Sequence, residues 1–474
     1  MTDIEKLVHQ EWTAVDAERR IVVSDPASGR ELFAAPVATS ADVDAAVDAA
    51  RAAAAAWART PAGERAAVVH RAADAVAARA ADLARLTTLE MGKPLGDARG
   101  GVDAGVGTLR QYAELGPVHR GRSLNGGFEA TDLMVYEPRG VVAAITPWND
   151  PVAVSCGLIG AALVTGNTVV YKPSERTPAT GWLLARILSE HLPPGVLNLL
   201  LGDGTVGARL VERPVDVVAH VGSTATGRAI ARAAAGTAAK VLLENGGNDP
   251  LIVDAGVDPE WAAAQAALGA FANAGQICVA VERIYVHEAI AEPFLAALVA
   301  RAEDLRTGPG LEPDTQLGPL VDAAMRDHVH GHVQQAVTAG AKLLVGGELP
   351  DGAGAFYPAT VLTGCTDDMA VMREETFGPV APVAAVGSFD EALERAAQGE
   401  YGLAASVLTA DLAHATRAWR ELPVGTVKIN NVFGGAPGGA AHPRRASGQG
   451  YGYGPELLDE MTHTKVVHLA VPPR

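Results

Sequence analysis

One cysteine marks where this chain could make a covalent bond. Cys278 closes the run Phe271-Ala-Asn-Ala-Gly-Gln-Ile-Cys278, directly after the small, turn-forming residues Asn273, Ala274, Gly275 and Gln276. A thiol at a turn, with glycine thinning the backbone beside it, suits a nucleophile that other groups must approach. A free cysteine is equally at home as a small buried hydrophobe. A nucleophile would need a base, and Glu244 ends the apolar run Val241-Leu-Leu and is followed by Gly246-Gly247. There it reads either as a general base held near water or as a surface charge at a strand end. Asn149, in Pro147-Trp148-Asn149-Asp150-Pro151, offers a side-chain amide to a developing oxyanion, or simply forms a turn. Glu375 and Phe377 stand together before a Gly378-Pro379 stop.

These residues need a frame, and the hydrophobic pattern supplies one. Residues 1–40 read as short strands and turns. Ser40 reads as the N-cap of a helix, and a second helix runs from Pro61 to about Glu90, ended by Gly92 and Pro94. From about residue 130, short apolar runs alternate with helical segments: strands at 140–146, 167–172 and 196–201, each followed by a turn and a helix, and a strand at 217–221 ending at Gly222-Ser-Thr. Repeated strand–turn–helix units imply a parallel sheet with helices on both faces, binding ligands at the carboxyl ends of its strands. Thr146, Lys172, Gly202 and Gly222 all fall at such ends. A second α/β series begins near Pro250, and the stretch 121–138 and the last strand, 464–469, read as excursions able to pair between subunits.

Gly202-Asp-Gly-Thr-Val-Gly207 matches the dinucleotide fingerprint in letters, but the next strand ends at Val221-Gly222 without the acid that would hold a ribose. The motif is therefore assigned to a sharp turn. Lys172-Pro-Ser174-Glu175 is the more informative strand end, since it puts a cation and a carboxylate where ribose hydroxyls or phosphate are gripped.

Composition narrows the setting. At 474 residues the chain needs more than one core, and its net charge of −17 argues against nucleic acid or an anionic membrane as partner. The three cysteines are far apart, which fits neither a disulfide framework nor a zinc site and suits a reducing cytosol. No signal-like start and no membrane-length apolar run is present, so a cytoplasmic protein is expected.

In their order and spacing these motifs resemble the aldehyde dehydrogenase superfamily over nearly the whole chain. The matching stretches are Pro147-Trp148-Asn149, Lys172-Pro-Ser-Glu175, Gly222-Ser-Thr-Ala-Thr-Gly227, Glu244 with Gly246-Gly247, Asn273 to Cys278 and Glu374 to Pro379, with Tyr401-Gly-Leu-Ala and Ser447-Gly448 behind them. The resemblance implies an α/β fold: a Rossmann-like cofactor domain (1–120 and 139–246), a second α/β catalytic domain (247–436) and a small β oligomerisation arm (121–138 and 437–474). It implies Cys278 as nucleophile, Glu244 as general base, and Asn149 with the Cys278 backbone N–H as oxyanion hole. Thr146, Pro147, Trp148, Lys172, Ser174, Glu175, Gly222, Ser223, Thr226, Glu375 and Phe377 would hold the cofactor, which is NAD in preference to NADP because Glu175 would repel a 2′-phosphate. No metal is implied. A homodimer or homotetramer is expected.

The chain departs from the family's pattern at Asn245, at Asn248 and in the stretched segment Gly438-Gly439 to Ser447-Gly448, changes that bear on the substrate and the pocket mouth. The substrate-flanking positions Asp150, Val154, Gly157, Ala272, Ile277 and Val279 include no aromatic residue. A small polar aldehyde is expected, with Asp150 partnered by the substrate or by Arg110, Arg444 or Arg445. Two other readings are an acyl transfer to coenzyme A on the same fold, which the presence of Glu244 opposes, and a catalytically silent binding protein, which the full set of nucleophile, base and amide opposes. A cysteine hydrolase lacks a histidine in any comparable motif.

Overall fold

In the computed structural model, which describes residues 1–434, 439–440 and 442–472, the two α/β series form separate sheets. The first runs Gly448–Gln449, Lys240–Glu244, Val217–Val221, Val141–Ile145, Thr168–Lys172, Leu197–Leu199 in space. Val141–Ile145 pairs in parallel with Thr168–Lys172 on one side and Val217–Val221 on the other. The chain order thus reverses at this strand and opens a crevice at the carboxyl ends. Its five residues are all buried, because helices cover both faces. Leu158, Ile159 and Leu184 pack on one side, and Val43, Val47, Val206 and Leu210 on the other.

The second sheet has seven strands, in the order Lys342–Val345, Thr360–Thr363, Val380–Val386, Val281–His287, Asp249–Val253, Ala404–Leu408, Thr426–Ile429. Its first strand is antiparallel to its neighbour and the rest pair in parallel around their own core. A third, three-stranded sheet pairs Thr462–Ala470 with Ala130–Pro138 along nine residues, with Arg122–Leu124 on the far side. The two excursions expected to pair between subunits therefore pair with each other within one chain.

Several expectations need correction. The first 40 residues contain a helix, Asp3–Ala14, whose capping box joins Thr2 and Glu5 and whose Ile4, Val8 and Trp12 are buried at helical spacing. Thr39, not Ser40, caps the next helix, because Asp42 stands three residues on and closes a capping box with it. The helix expected from 61 to 90 is two, Ala62–Ala78 and Ala80–Met91. Arg79 leaves helical geometry (φ −106°, ψ 16°), and its Nε donates to Asp82 at 2.7 Å. Gly92 ends the second in the left-handed conformation (φ 85°), as its position predicted. The C-terminal segment does not all belong with the arm. Gly448–Gln449 extends the first sheet beside Glu244 and Leu243, and Leu457, Leu458 and Met461 enter the first core. The expected boundary at 436/437 and the start of the stretched motif at Gly438 lie outside the described residues.

Candidate active site

Cys278 follows a short 3-10 turn, Ala272–Gly275, at the end of the helix Pro259–Phe271. Asn273 (φ 50°), Ala274 (φ 55°) and Gly275 (φ 72°) are left-handed in succession, a run that L-residues adopt only when their surroundings impose it. Side chains impose it here. Asn273 Nδ2 donates to the Gln276 carbonyl at 3.0 Å, Gln276 Nε2 donates back to the Asn273 carbonyl at 3.1 Å, and Gln276 Oε1 accepts from the Val321 N–H at 2.9 Å. Gly275 is required by contact as well, because a Cβ there would overlap the Gly378 carbonyl. The facing loop is pinned by Glu282, which accepts from the N–H groups of Thr376 (2.7 Å) and Phe377 (2.9 Å) and holds Phe377 at φ 52°.

The candidate base and amide come to this loop from the first sheet. Asn149 Nδ2 donates to the Gln276 carbonyl at 3.1 Å, placing the amide two residues from the thiol. Glu244 ends its strand with Oε1 buried and without a hydrogen-bond partner among the described residues. Burial pushes this carboxyl up to about 8, offset only by the Gly452 N–H. A Cβ on Gly452 would overlap the Glu244 carboxyl. Glu375 Oε1 accepts from the Gly247 N–H at 2.9 Å, and burial raises it to about 7. Burial first, then Glu244, Asp249 and Glu375, push the Cys278 thiol up to about 12. The site thus encloses one thiol among carboxyls whose own charges burial suppresses.

Beside it, at the carboxyl ends of the first sheet, lies a cavity of about 530 Å³. Thr146, Pro147, Trp148, Lys172, Ser174, Glu175, Gly222, Ser223 and Thr226 all line it. Lys172 Nζ is buried and stands 3.7 Å from Glu175 Oε2. Ser223 caps the helix Thr224–Ala234, whose N-terminus is a ready anion site at the cavity wall. Phe377 meets this wall through Trp148, edge to face at 5.5 Å, and Glu375 stays on the thiol side. Gly204 and Gly207, assigned from sequence to a turn, line the same cavity, so the fingerprint letters pointed to it. Arg176 and His220 are among the lining residues that sequence reading missed. Arg176 lies over Trp148 at 5.2 Å and pairs with Asp322 at 2.8 Å. His220 is buried with both ring nitrogens unpartnered among the described residues; alternation along its strand could have marked it as inward but not as facing a cavity. A larger cavity, about 1040 Å³, reaches Phe271 and Ala272 but none of Cys278, Glu244 or Asn149.

Asp150 has a protein partner that sequence reading did not name. Lys93 Nζ lies 3.4 Å from its Oδ1, while Arg110 pairs with Asp74 and Arg445 with the carbonyls of Ala397 and Gly399. The two asparagine departures are internal ties. Asn245 donates to the Ala446 carbonyl at 3.0 Å and Asn248 to the Glu374 carbonyl at 3.1 Å.

A doubly wound sheet with a crevice at its switch point, facing a thiol on a second α/β unit, defines a dinucleotide-dependent oxidoreductase. The chain belongs to the aldehyde dehydrogenase family, whose model matches residues 12–467. It is 38% identical over 468 residues to a betaine aldehyde dehydrogenase of Cereibacter sphaeroides, covering 96% of this chain and 94% of that protein. It is 37% identical over 458 residues to a non-phosphorylating aspartate-semialdehyde dehydrogenase of Halomonas elongata, covering 96% and 93%. Among solved structures, the NAD+ complex of an aldehyde dehydrogenase from Bacillus cereus superposes with a TM-score of 0.94 at 35% identity, covering 97% of this chain and 95% of that one. The protein is accordingly an aldehyde-oxidising enzyme that uses a nicotinamide dinucleotide and the family's covalent cysteine chemistry. No helix among the described residues is long and apolar enough to cross a membrane.

Proposed function

We propose that Cys278 is the nucleophile, Glu244 the general base and Asn149 the oxyanion donor of an NAD-dependent oxidation of a small polar aldehyde to its acid. The observation that carries this reading is convergence: a thiol on a strained loop, a buried carboxyl with one oxygen unpartnered among the described residues and a side-chain amide meet beside one cavity. Cys278 Sγ, losing its proton, bonds to the aldehyde carbon. The carbonyl oxygen becomes an oxyanion held by the Asn149 amide and the Cys278 N–H. A nicotinamide dinucleotide held by the cavity residues would supply the acceptor for the hydride that leaves this carbon. The carbon is then a thioester on Cys278. Glu244 takes a proton from water, the hydroxyl adds to the thioester carbon, the C–S bond breaks, and the carboxylic acid leaves with the thiol restored. The balance is aldehyde, NAD+ and water to acid, NADH and a proton.

The cavity's residues fit the cofactor. The Ser223-capped helix start and Gly204 and Gly207 suit its pyrophosphate, and Lys172 with Glu175 suits the adenosine ribose. Glu175 favours NAD over NADP, since a 2′-phosphate would bring like charges together. Ser174 supports the turn, its Oγ accepting from the Arg176 N–H at 3.2 Å. Thr146, Pro147, Trp148, Gly222 and Thr226 shape the wall, and Glu375 with Phe377 closes the nicotinamide end. We assign residues 1–120 and 139–246 to the nucleotide unit, joined by 448–461, with 247–436 as the catalytic unit. The arm, 121–138 with 462–470, exposes Val466 and Leu469 and suits a homodimer or homotetramer. The composition fits the cytoplasm.

The test is NADH absorbance across a panel of aldehydes with Cys278→Ala. The variant should lose turnover and keep NAD binding, while Cys156→Ala and Cys365→Ala retain activity. Full turnover by Cys278→Ala would sink the assignment.

A further inference from the structure

Likeness does not choose the charge of the substrate. Two relatives of nearly equal similarity are named for aldehydes of different charge, betaine aldehyde carrying only a cation and aspartate semialdehyde a carboxylate beside an ammonium. Asp150 does not choose either, being engaged by Lys93. Among the described residues, one other charged group beside the thiol is without such a partner.

Lys428 lies on Thr426–Ile429, the edge strand of the second sheet. Val427 and Ile429 pack against the second core, so Thr426 and Lys428 face the opposite way. That side is the site: Tyr453, beside Glu244 and Cys278, reaches Thr426 there. Lys428 is half-buried, and its Nζ sits over the Phe433 ring, 5.6 Å from the centroid. Among the described residues its ionisable neighbours are Asp249 and the Cys278 thiol, and neither makes an ion pair with it. Asp249 instead accepts from the Ala404 N–H at 3.1 Å, and burial raises its carboxyl to about 8, so near neutrality it is largely uncharged. A half-buried ammonium without a counter-ion is costly unless an anion arrives with the ligand. The Phe433 face, one aromatic surface on this side of the strand, already carries the lysine's charge.

Resting on the reaction proposed above, we infer that Lys428 recognises the charge of the substrate, and that the substrate is a small semialdehyde whose carboxylate completes the ion pair the protein leaves open. A cationic aldehyde would meet like charge at the same place.

The experiment compares kcat/KM for succinic semialdehyde and for butanal, which share a four-carbon chain, and adds betaine aldehyde, in the wild type, Lys428→Met and Lys428→Arg. The wild type should favour succinic semialdehyde over butanal by roughly tenfold to a hundredfold, mostly through KM. Lys428→Met should bring that ratio near one, and Lys428→Arg should restore most of it. An unchanged ratio in Lys428→Met, or wild-type preference for betaine aldehyde, overturns the inference. So does an equal loss on all three aldehydes with a shifted pH dependence of the first turnover, which would tie Lys428 to the thiol alone. If the wild type makes no NADH from any of the three, the reaction itself is wrong, a separate failure.

Discussion

Replacing Glu244 by glutamine isolates the hydrolytic half of the reaction. A base works only when ionised, and burial raises Glu244 to about 8. At that value about a tenth of the carboxyls are ionised at pH 7 and about half at pH 8. Steady-state turnover should therefore rise roughly fivefold between those pH values and less than twofold from pH 8 to 9. The sign follows from the direction of the shift, since a raised carboxyl holds its proton longer and the rate climbs with pH. The same shift means that the folded state prefers the protonated form. This group's contribution to stability is full below the ordinary carboxyl range and is lost as pH climbs toward 8. Glu244→Gln should lower steady-state turnover on the order of 10²- to 10⁴-fold and remove the rise through pH 8. It should still release one NADH per site in a first burst, because Cys278 acylates without it. After burial, the Glu244 charge does most to hold the thiol's pKa up, so above pH 8, where Glu244 is ionised, the burst should also be faster in the variant. Rapid mixing with excess aldehyde reads amplitude and both rates. A variant with no burst would assign Glu244 to the thiol, and a wild-type rate flat through pH 8 would refute it as the base.

Gly452→Ala should disturb the same carboxyl from behind, because the added Cβ overlaps it; steady-state turnover should fall at least tenfold with the burst preserved, and a variant as fast as wild type would show that Glu244 moves freely. Dehydrogenase assays should give a higher kcat/KM with NAD than with NADP, and Glu175→Ala should narrow the gap; a clear wild-type NADP preference would overturn the role of Glu175. Glu90 is a stability prediction. Its buried carboxylate accepts from the Ala179 N–H at 2.7 Å and from both the N–H (2.9 Å) and the hydroxyl (2.7 Å) of Thr180 at the start of the helix Pro178–Ser189. Glu90→Ala should cost about 2–4 kcal/mol in denaturant unfolding, and a loss under 1 kcal/mol would show that water replaces the carboxylate.

By itself the sequence determined the reaction class only through the resemblance of its ordered motifs to the aldehyde dehydrogenase superfamily. The thiol turn, the strand-ending Glu244, the Asn149 turn and the Lys172-Pro-Ser-Glu175 strand end are local features, each set by a few neighbouring residues, so they could be read without knowing what they meet. The alternation of apolar runs with helices determined two largely parallel sheets for the same reason. What lay between distant residues was decided only in three dimensions. Asp150 found Lys93 and not an arginine, since helix packing, not spacing, brings them together. Gly204, Gly207 and His220 became cavity residues because the switch point of the sheet opens there. Gly448–Gln449 returned to the first sheet, and Leu457, Leu458 and Met461 to its core, although they read as part of the arm. Lys428 gained its meaning from the strand face it occupies, where a long-range crossover puts an unpaired ammonium beside a thiol some 150 residues earlier in the chain.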